Sequence, residues 1–226
     1  MELYPYEILE TKEAVLADND AEAESNRKFL REKKVFLVNL MSSPGSGKTT
    51  TLLRTIRALN GRYRIGVMEA DVDGDVDAAA VASLGVPVIQ LHTGGSCHMD
   101  ASMTRRGLER MDLESLDVIF LENVGNLVCP AEFDVGAAVR VMILSIPEGD
   151  DKPLKYPLMF SVSDVMLINK TDVAPVFDFD TEACAERAKT LNPDIRIFPL
   201  SALTGDGFPA WINWLEDAIT RWRKSL

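Results

Sequence analysis

The chain is poor in sulfur and imidazole, with three cysteines and two histidines among 226 residues. An odd set of cysteines, at positions 97, 129 and 184, excludes the paired framework that staples small secreted domains. Reduced thiols in a cytoplasmic protein are the expectation. Basic residues are also scarce: 24 Lys+Arg stand against 35 Asp+Glu, a net charge of −11. That balance argues against nucleic acid as a partner, because neutralising phosphates requires a basic face, and it disfavours anionic membranes for the same reason. No window approaches the roughly 18 uninterrupted apolar residues of a membrane span. The acidic start, MELYPYEILETKEAVLADNDAEAE, lacks the basic start and apolar core of a secretory signal. Internal repeats, low-complexity tracts and Gly/Ser linkers are missing as well, so a single domain is the economical reading.

What is present is 46% apolar and 26% charged residues, ordinary for a globular chain. Short apolar runs occur at Val35–Met41, Ile65–Met68, Val86–Leu91, Val118–Leu121, Val139–Ile146, Val165–Ile168 and Ile195–Leu200. Lacking alternation, they read as strands buried on both faces. Stretches with helical spacing separate most of them: Thr49–Leu59, Asp75–Leu84, Met99–Met111 and Thr181–Leu191. Strand and helix in alternation predict a three-layer α/β fold, a mostly parallel sheet flanked by helices. The segment Phe208–Lys224 gathers Trp211, Trp214, Leu215, Ala218, Ile219 and Trp222 on one side, an amphipathic helix packed on the sheet. Residues 1–33 read as an N-terminal helical extension, with Asn19 or Asp20 as its cap, and residues 34–226 as the main domain.

The first apolar run leads into Ser42-Ser43-Pro44-Gly45-Ser46-Gly47-Lys48-Thr49-Thr50, followed by the helical TLLRTIRAL. This satisfies G-x-x-x-x-G-K-[ST] except at its first position, where Ser42 stands for Gly. Binding a nucleotide's phosphates needs converging backbone N–H groups at a helix N-terminus, an ammonium on the β/γ oxygens and a hydroxyl on Mg²⁺. Gly45, Ser46, Gly47, Lys48, Thr49 and Thr50 are the candidates. Downstream, a run ends in Asn169-Lys170-Thr171-Asp172 and the last in Ser201-Ala202-Leu203, at the strand ends where α/β sheets place ligands. A carboxylate at Asp172 matches the N1–H and N2–H₂ donors of guanine; adenine would leave it unpaired. Asn169, Lys170, Ser201 and Ala202 complete the guanine loops.

Phosphoryl transfer further needs a carboxylate to hold Mg²⁺. Asp71 and Asp77, in the acidic stretch that begins at Glu69, and Glu122 are the candidates, with Asp75 open and Asp73 a solvated charge. Gly125, without a Cβ, is suited to let its N–H approach a γ-phosphate. Lys48, Asp77, Glu122 and Gly125 form the candidate catalytic set. Cys97-His98 and Cys129 lie on loops after strands, and thiolate with imidazole takes Zn²⁺, Ni²⁺ or Cu²⁺. Three ligands leave a coordination position open, or one that a second subunit completes. Cys184, inside the helical ACAERA, reads as packing. Only Asn126-Leu127-Val128 separate Gly125 from Cys129, so nucleotide state and metal affinity are expected to be coupled.

These strings resemble the hydrogenase maturation GTPases of the HypB family. The resemblance rests on SSPGSGKTT, EAD at 69–71, CHMDA from Cys97, ENVGNLVCPAEFDVG from Glu122, EGDDKPLKYPLMF from Glu148 and NKTD, and covers most of the chain from Asn26 onward. It implies a phosphate-loop (P-loop) NTPase fold, GTP/GDP and Mg²⁺ as ligands, a homodimer, and Ni²⁺ or Zn²⁺ at Cys97, His98 and Cys129. It further implies nickel delivery to a [NiFe]-hydrogenase large-subunit precursor with a small nickel-accessory protein. The extra N-terminal cysteine motif or His-rich tract that some members carry has no counterpart here, where Cys97 is the first cysteine and His92 the first histidine. The runner-up readings are a urease-type accessory GTPase and a GTP-binding metal carrier without significant catalysis. No evident arginine finger or water-orienting glutamine appears, so slow turnover is expected.

Overall fold

The computed structural model describes residues 11–71 and 76–226. Each apolar run forms a strand: β1 (Phe36–Ser42), β2 (Ile65–Asp71), β3 (Val88–His92), β4 (Val118–Glu122), β5 (Val139–Ser145), β6 (Val165–Asn169) and β7 (Arg196–Pro199). They form one sheet in the order β3-β2-β4-β1-β5-β6-β7, with every pairing parallel. A parallel sheet needs crossovers, which the helices supply. In chain order these are α1 (Thr11–Lys33), α2 (Lys48–Leu59), α3 (Val76–Ala82), α4 (Ala101–Leu108), α5 (Cys129–Glu132), α6 (Lys152–Lys155), α7 (Pro157–Val162), α8 (Thr181–Leu191) and α9 (Phe208–Lys224).

The interior strands are buried except at Asp71, which ends β2, and Arg140 of β5, whereas β3 and β7 are half-exposed. The expectation of two buried faces therefore fails at those two, because each is an edge strand with a neighbour on one side only. Pleating sends alternate residues of β1 into different layers. Phe36, Val38 and Leu40 join Leu52 and Ile56 of α2 and Trp211, Leu215 and Ile219 of α9. Leu37 instead meets Leu30 of α1 and Leu108 of α4. Trp222 sets its ring edge-on to Phe36 at 5.5 Å, so the last turn of α9 is also held by packing.

Asn19 does not cap a helix. It lies inside α1, where its Nδ2 donates to the Asp134 carbonyl and its Oδ1 accepts from the Ala101 N–H, both at 2.9 Å. Asn26, two turns on, donates to the carbonyls of Ala101 at 2.8 Å and Val135 at 3.2 Å. Asn19, which reads locally as a helix start, is thus satisfied by tertiary partners.

Candidate nucleotide and metal site

The phosphate loop turns between β1 and α2 on two left-handed glycines, Gly45 at φ 77° and Gly47 at φ 94°. A Cβ on Gly47 would also lie 2.6 Å from Asn169 Nδ2. Ser42, where the motif has glycine, is the last residue of β1 and is fully buried; its extended backbone makes no demand for glycine. Gly47 precedes α2 without a side-chain cap, which leaves the first N–H groups of that helix facing the cleft, a ready anion site. The cleft measures about 630 Å³, and its wall includes Gly45, Lys48, Thr49, Thr50, Gly125 and Lys170.

The loops read as guanine-binding fold back onto this turn. Asn169 Nδ2 donates to the Ser46 carbonyl at 2.9 Å, and its Oδ1 accepts from Ala202 N at 3.0 Å. Lys170 Nζ donates to the Gly45 carbonyl at 2.7 Å from a left-handed backbone, φ 62°. Ser201 Oγ donates to Asp172 Oδ1 at 2.5 Å. Arg54 of α2 donates to the carbonyls of Ala202 and Leu203, each at 2.7 Å, so the phosphate helix also braces the base loop.

Thr49 Oγ1 donates to Glu122 Oε1 at 2.9 Å. Glu122 is 4% exposed and Glu69 3% exposed. The register sets Glu69 of β2 opposite both Gln90 of β3 and Glu122 of β4, a polar row across three strands. Glu69 Oε1, Glu122 Oε2 and Gln90 Nε2 are buried without a hydrogen-bond partner, and all three side chains line a cavity of about 260 Å³ shared with Lys48. Burial, reinforced by the charge of Glu122, pushes the Glu69 carboxyl far above the usual carboxylate range. Burial also raises Glu122, against the Lys48 ammonium, which lowers it. Asp71 and Asp77, both exposed, line the mouth of the cleft; Asp73 and Asp75 lie outside the described residues. Gly125 packs on the phosphate loop, where a Cβ would lie 3.1–3.3 Å from three atoms of Pro44. Close approach, not a positive φ, accounts for glycine there.

The structure brings Cys97, His98 and Cys129 together, with their ligand atoms within 4.8 Å of one another. The two sulfurs are 2.8 Å apart, and Cys97 Sγ is 3.9 Å from His98 Nδ1. Two thiolates on one tetrahedral ion, at about 2.3 Å each, sit about 3.8 Å apart, so an entering ion would spread the sulfurs by about 1 Å. His98 stacks on Phe133 at 3.9 Å, and burial lowers its pKa, favouring the neutral ligand form. The Cys97 thiol, hydrogen-bonded to Cys129, raises the pKa of the latter. Cys184 stays apart, buried on α8, where burial pushes its thiol up to about 12.

Residues 36–199 match the model of the CobW/HypB/UreG nucleotide-binding domain. The hydrogenase maturation factor HypB of Azotobacter vinelandii is 48% identical over 209 residues, spanning 92% of this chain and 69% of its own. The chain belongs to the HypB family. Two solved HypB structures superpose closely. That of Helicobacter pylori HypB in complex with nickel has a TM-score of 0.86 at 36% identity, covering 90% of this chain and 96% of that one. The Archaeoglobus fulgidus factor gives 0.84 at 38% identity, covering 90% and 99%.

In this HypB-family chain Glu69, which in sequence is only the start of the acidic stretch, and Gln90 also line the site, with Arg54 and Asn126 bracing its loops. A signal for the first two existed: Gln90 is a polar interruption of the run Val86–Leu91, and Glu69 is the first polar residue after Ile65–Met68. Nothing local marks Arg54, which acts on a loop 148 residues away. Asn126 accepts from Val128 N at 2.7 Å, and its Nδ2 lies 3.7 Å from Cys129 Sγ, stiffening the segment that carries the thiol. Among the described residues no helix is long and apolar enough to cross a membrane.

Proposed function

We propose that this chain is a GTP-hydrolysing nickel metallochaperone for [NiFe]-hydrogenase maturation, in which nucleotide state sets the affinity of the Cys97–His98–Cys129 site for Ni²⁺ or Zn²⁺. The observation that carries this reading is that Gly125, packed on Pro44 of the phosphate loop, is three residues from Cys129. The Gly45–Thr50 turn receives the phosphates, and Asp172, held by Ser201, receives the guanine edge. Lys48 neutralises charge on the β- and γ-oxygens as the terminal phosphate is transferred to water. Thr49 and Glu122, with Asp71 or Asp77, are the residues that would hold Mg²⁺; the unpartnered Glu122 Oε2 fits a cation. A bound Mg²⁺ would offset phosphate charge in the transition state.

Slow intrinsic turnover is expected, since no arginine is among the described residues that line the cleft. The open coordination position at the three-ligand site suits transfer of nickel within a homodimer, to a small nickel-accessory protein and then to a hydrogenase large-subunit precursor. Nickel titration of the GTP-analogue and GDP forms tests the coupling. Different affinities are expected; identical affinity, stoichiometry and thiolate spectrum would refute it. Single-turnover assays with metal and accessory protein test catalysis, and the absence of phosphate release under every condition would reduce the chain to a carrier.

A further inference from the structure

A shift at Gly125 alters the metal site only if Cys129 moves relative to Cys97 and His98. The latter pair must therefore be tied to something that stays in place. The structure holds such a tie in Asn123, a residue the sequence analysis did not single out and which is fully buried. Its backbone N–H donates to the Leu40 carbonyl at 3.0 Å. Its side-chain Nδ2 donates to Asn39 Oδ1 at 3.2 Å. Both partners belong to β1, the central strand that runs into the phosphate loop. The side-chain Oδ1 accepts from two N–H groups, Val124 at 2.9 Å and Met99 at 3.0 Å. Met99, itself buried, is the residue after His98.

The loop bearing Cys97 and His98 is thereby pinned to the sheet through one side chain, 24 residues away in sequence. The same side of the loop is pinned again two residues on, at Ala101, by Asn19 and Asn26 of α1. Cys129 is attached differently. It follows Gly125 through the backbone of 126–128, and its side of the site carries no hydrogen bond to β1 among those described.

We propose that Asn123 is the positioning residue that couples the two sites: it anchors the Cys97–His98 arm to β1, so that displacement of Gly125 changes the spacing between Cys129 and that arm. Without the anchor, a bound ion would pull the 97–99 loop along with Cys129, and the ligand set would keep its geometry in both nucleotide states. Coupling free energy between two sites requires differential contacts in two states, and the anchor makes the difference possible. This inference rests on the proposed coupling of nucleotide and metal.

Asn123→Ser tests it. A serine hydroxyl still accepts from the adjacent Val124 N–H but is one atom too short for Met99. Asn123→Asp keeps the acceptor at full length, and Asn39 turns its amide to donate. Nickel(II) is titrated into the full-length protein in the GDP and GTP-analogue forms, read by thiolate-to-nickel absorption. GDP affinity without metal serves as the folding control. The wild type is expected to show an affinity ratio of at least about fivefold, the lower range of allosteric couplings. Asn123→Ser should bring the ratio to within about twofold of unity with unchanged GDP affinity, and Asn123→Asp should restore it. If serine at 123 weakens GDP binding, the comparison passes to Asn123→Asp against Asn123→Leu. Loss of the ratio in the leucine variant alone supports the anchor, and equal ratios overturn it. A wild-type-sized ratio in Asn123→Ser with intact GDP binding overturns the assignment while leaving the coupled function standing. A ratio of unity in the wild type itself overturns the coupled function, and the anchor with it.

Discussion

Glu69 and Glu122 stand opposite each other on adjacent parallel strands, β2 and β4, both carboxyls buried and each with an oxygen that lacks a partner. Two like charges cannot both be ionised cheaply in that position. Burial first, and the neighbouring charge second, hold Glu69 protonated well above the ordinary glutamate range. The fold therefore carries a carboxylic acid in its core, next to the Thr49–Glu122 hydrogen bond.

A pH-dependent stability follows. The folded-state pKa of Glu69 is raised, so the stability it contributes is present below the ordinary glutamate value of 4.5 and is lost as pH climbs toward the raised value. Glutamine has the same shape and no proton to lose. Without nucleotide, Glu69→Gln should match the wild type near pH 5 and exceed it by about 2 kcal/mol near pH 9, roughly 4–8 °C in Tm. Thermal melts across that range check it; a difference independent of pH would contradict the assignment.

Base specificity depends on Asp172, which Ser201 steadies at 2.5 Å. Asp172→Asn replaces an acceptor pair by one acceptor and one donor, matching xanthine in place of guanine. GTP affinity should fall about 10–100-fold, the equivalent of losing a charge-assisted contact of about 1.5–3 kcal/mol, and xanthosine triphosphate should gain. Competition binding with GTP, XTP and ATP measures it, and unchanged discrimination would exclude Asp172 from the base site.

Asn26 joins α1 to the two segments that follow the metal ligands, at Ala101 and Val135. Asn26→Ala leaves both buried carbonyls short of a donor and should cost about 2–3 kcal/mol in urea unfolding. Nickel affinity should fall and GDP affinity should not. An equal loss of both would mean that α1 supports the whole sheet rather than the metal loops.

Asp117 accepts from Arg64 at 3.0 Å and from Arg223 at 2.7 Å, and these guanidinium groups hold its carboxyl below the usual aspartate range. Stability from this depressed pKa is present above the unfolded-state value and lost as pH falls through the folded one. The cluster lies at the surface, so Asp117→Asn should cost about 1 kcal/mol or less at pH 7 and less at pH 2, below the unfolded-state value. Chemical denaturation at the two pH values distinguishes this from a pH-independent packing loss.

Local pattern in the sequence was enough to determine the seven strands, because short runs of Val, Ile and Leu without alternation mark strands of a parallel sheet, though not that β3 and β7 stand at its edges. It also determined the glycine turn into α2 and the helix Phe208–Lys224, whose signals lie within one or two turns of chain. Tertiary structure alone decided the rest. Strand order and register aligned Gln90, Glu69 and Glu122, although in sequence Gln90 lies inside one apolar run and the two glutamates follow the ends of two others. Asn19 read as a cap because a capping side chain and a tertiary hydrogen bond look alike in sequence; only docking of α1 against Asp134, 115 residues on, distinguished them. Cys97 and Cys129 stood out by residue type, yet the separate tethering of their two arms, through Asn123 to β1 and through the backbone to Gly125, arises from contacts that no period in the chain encodes.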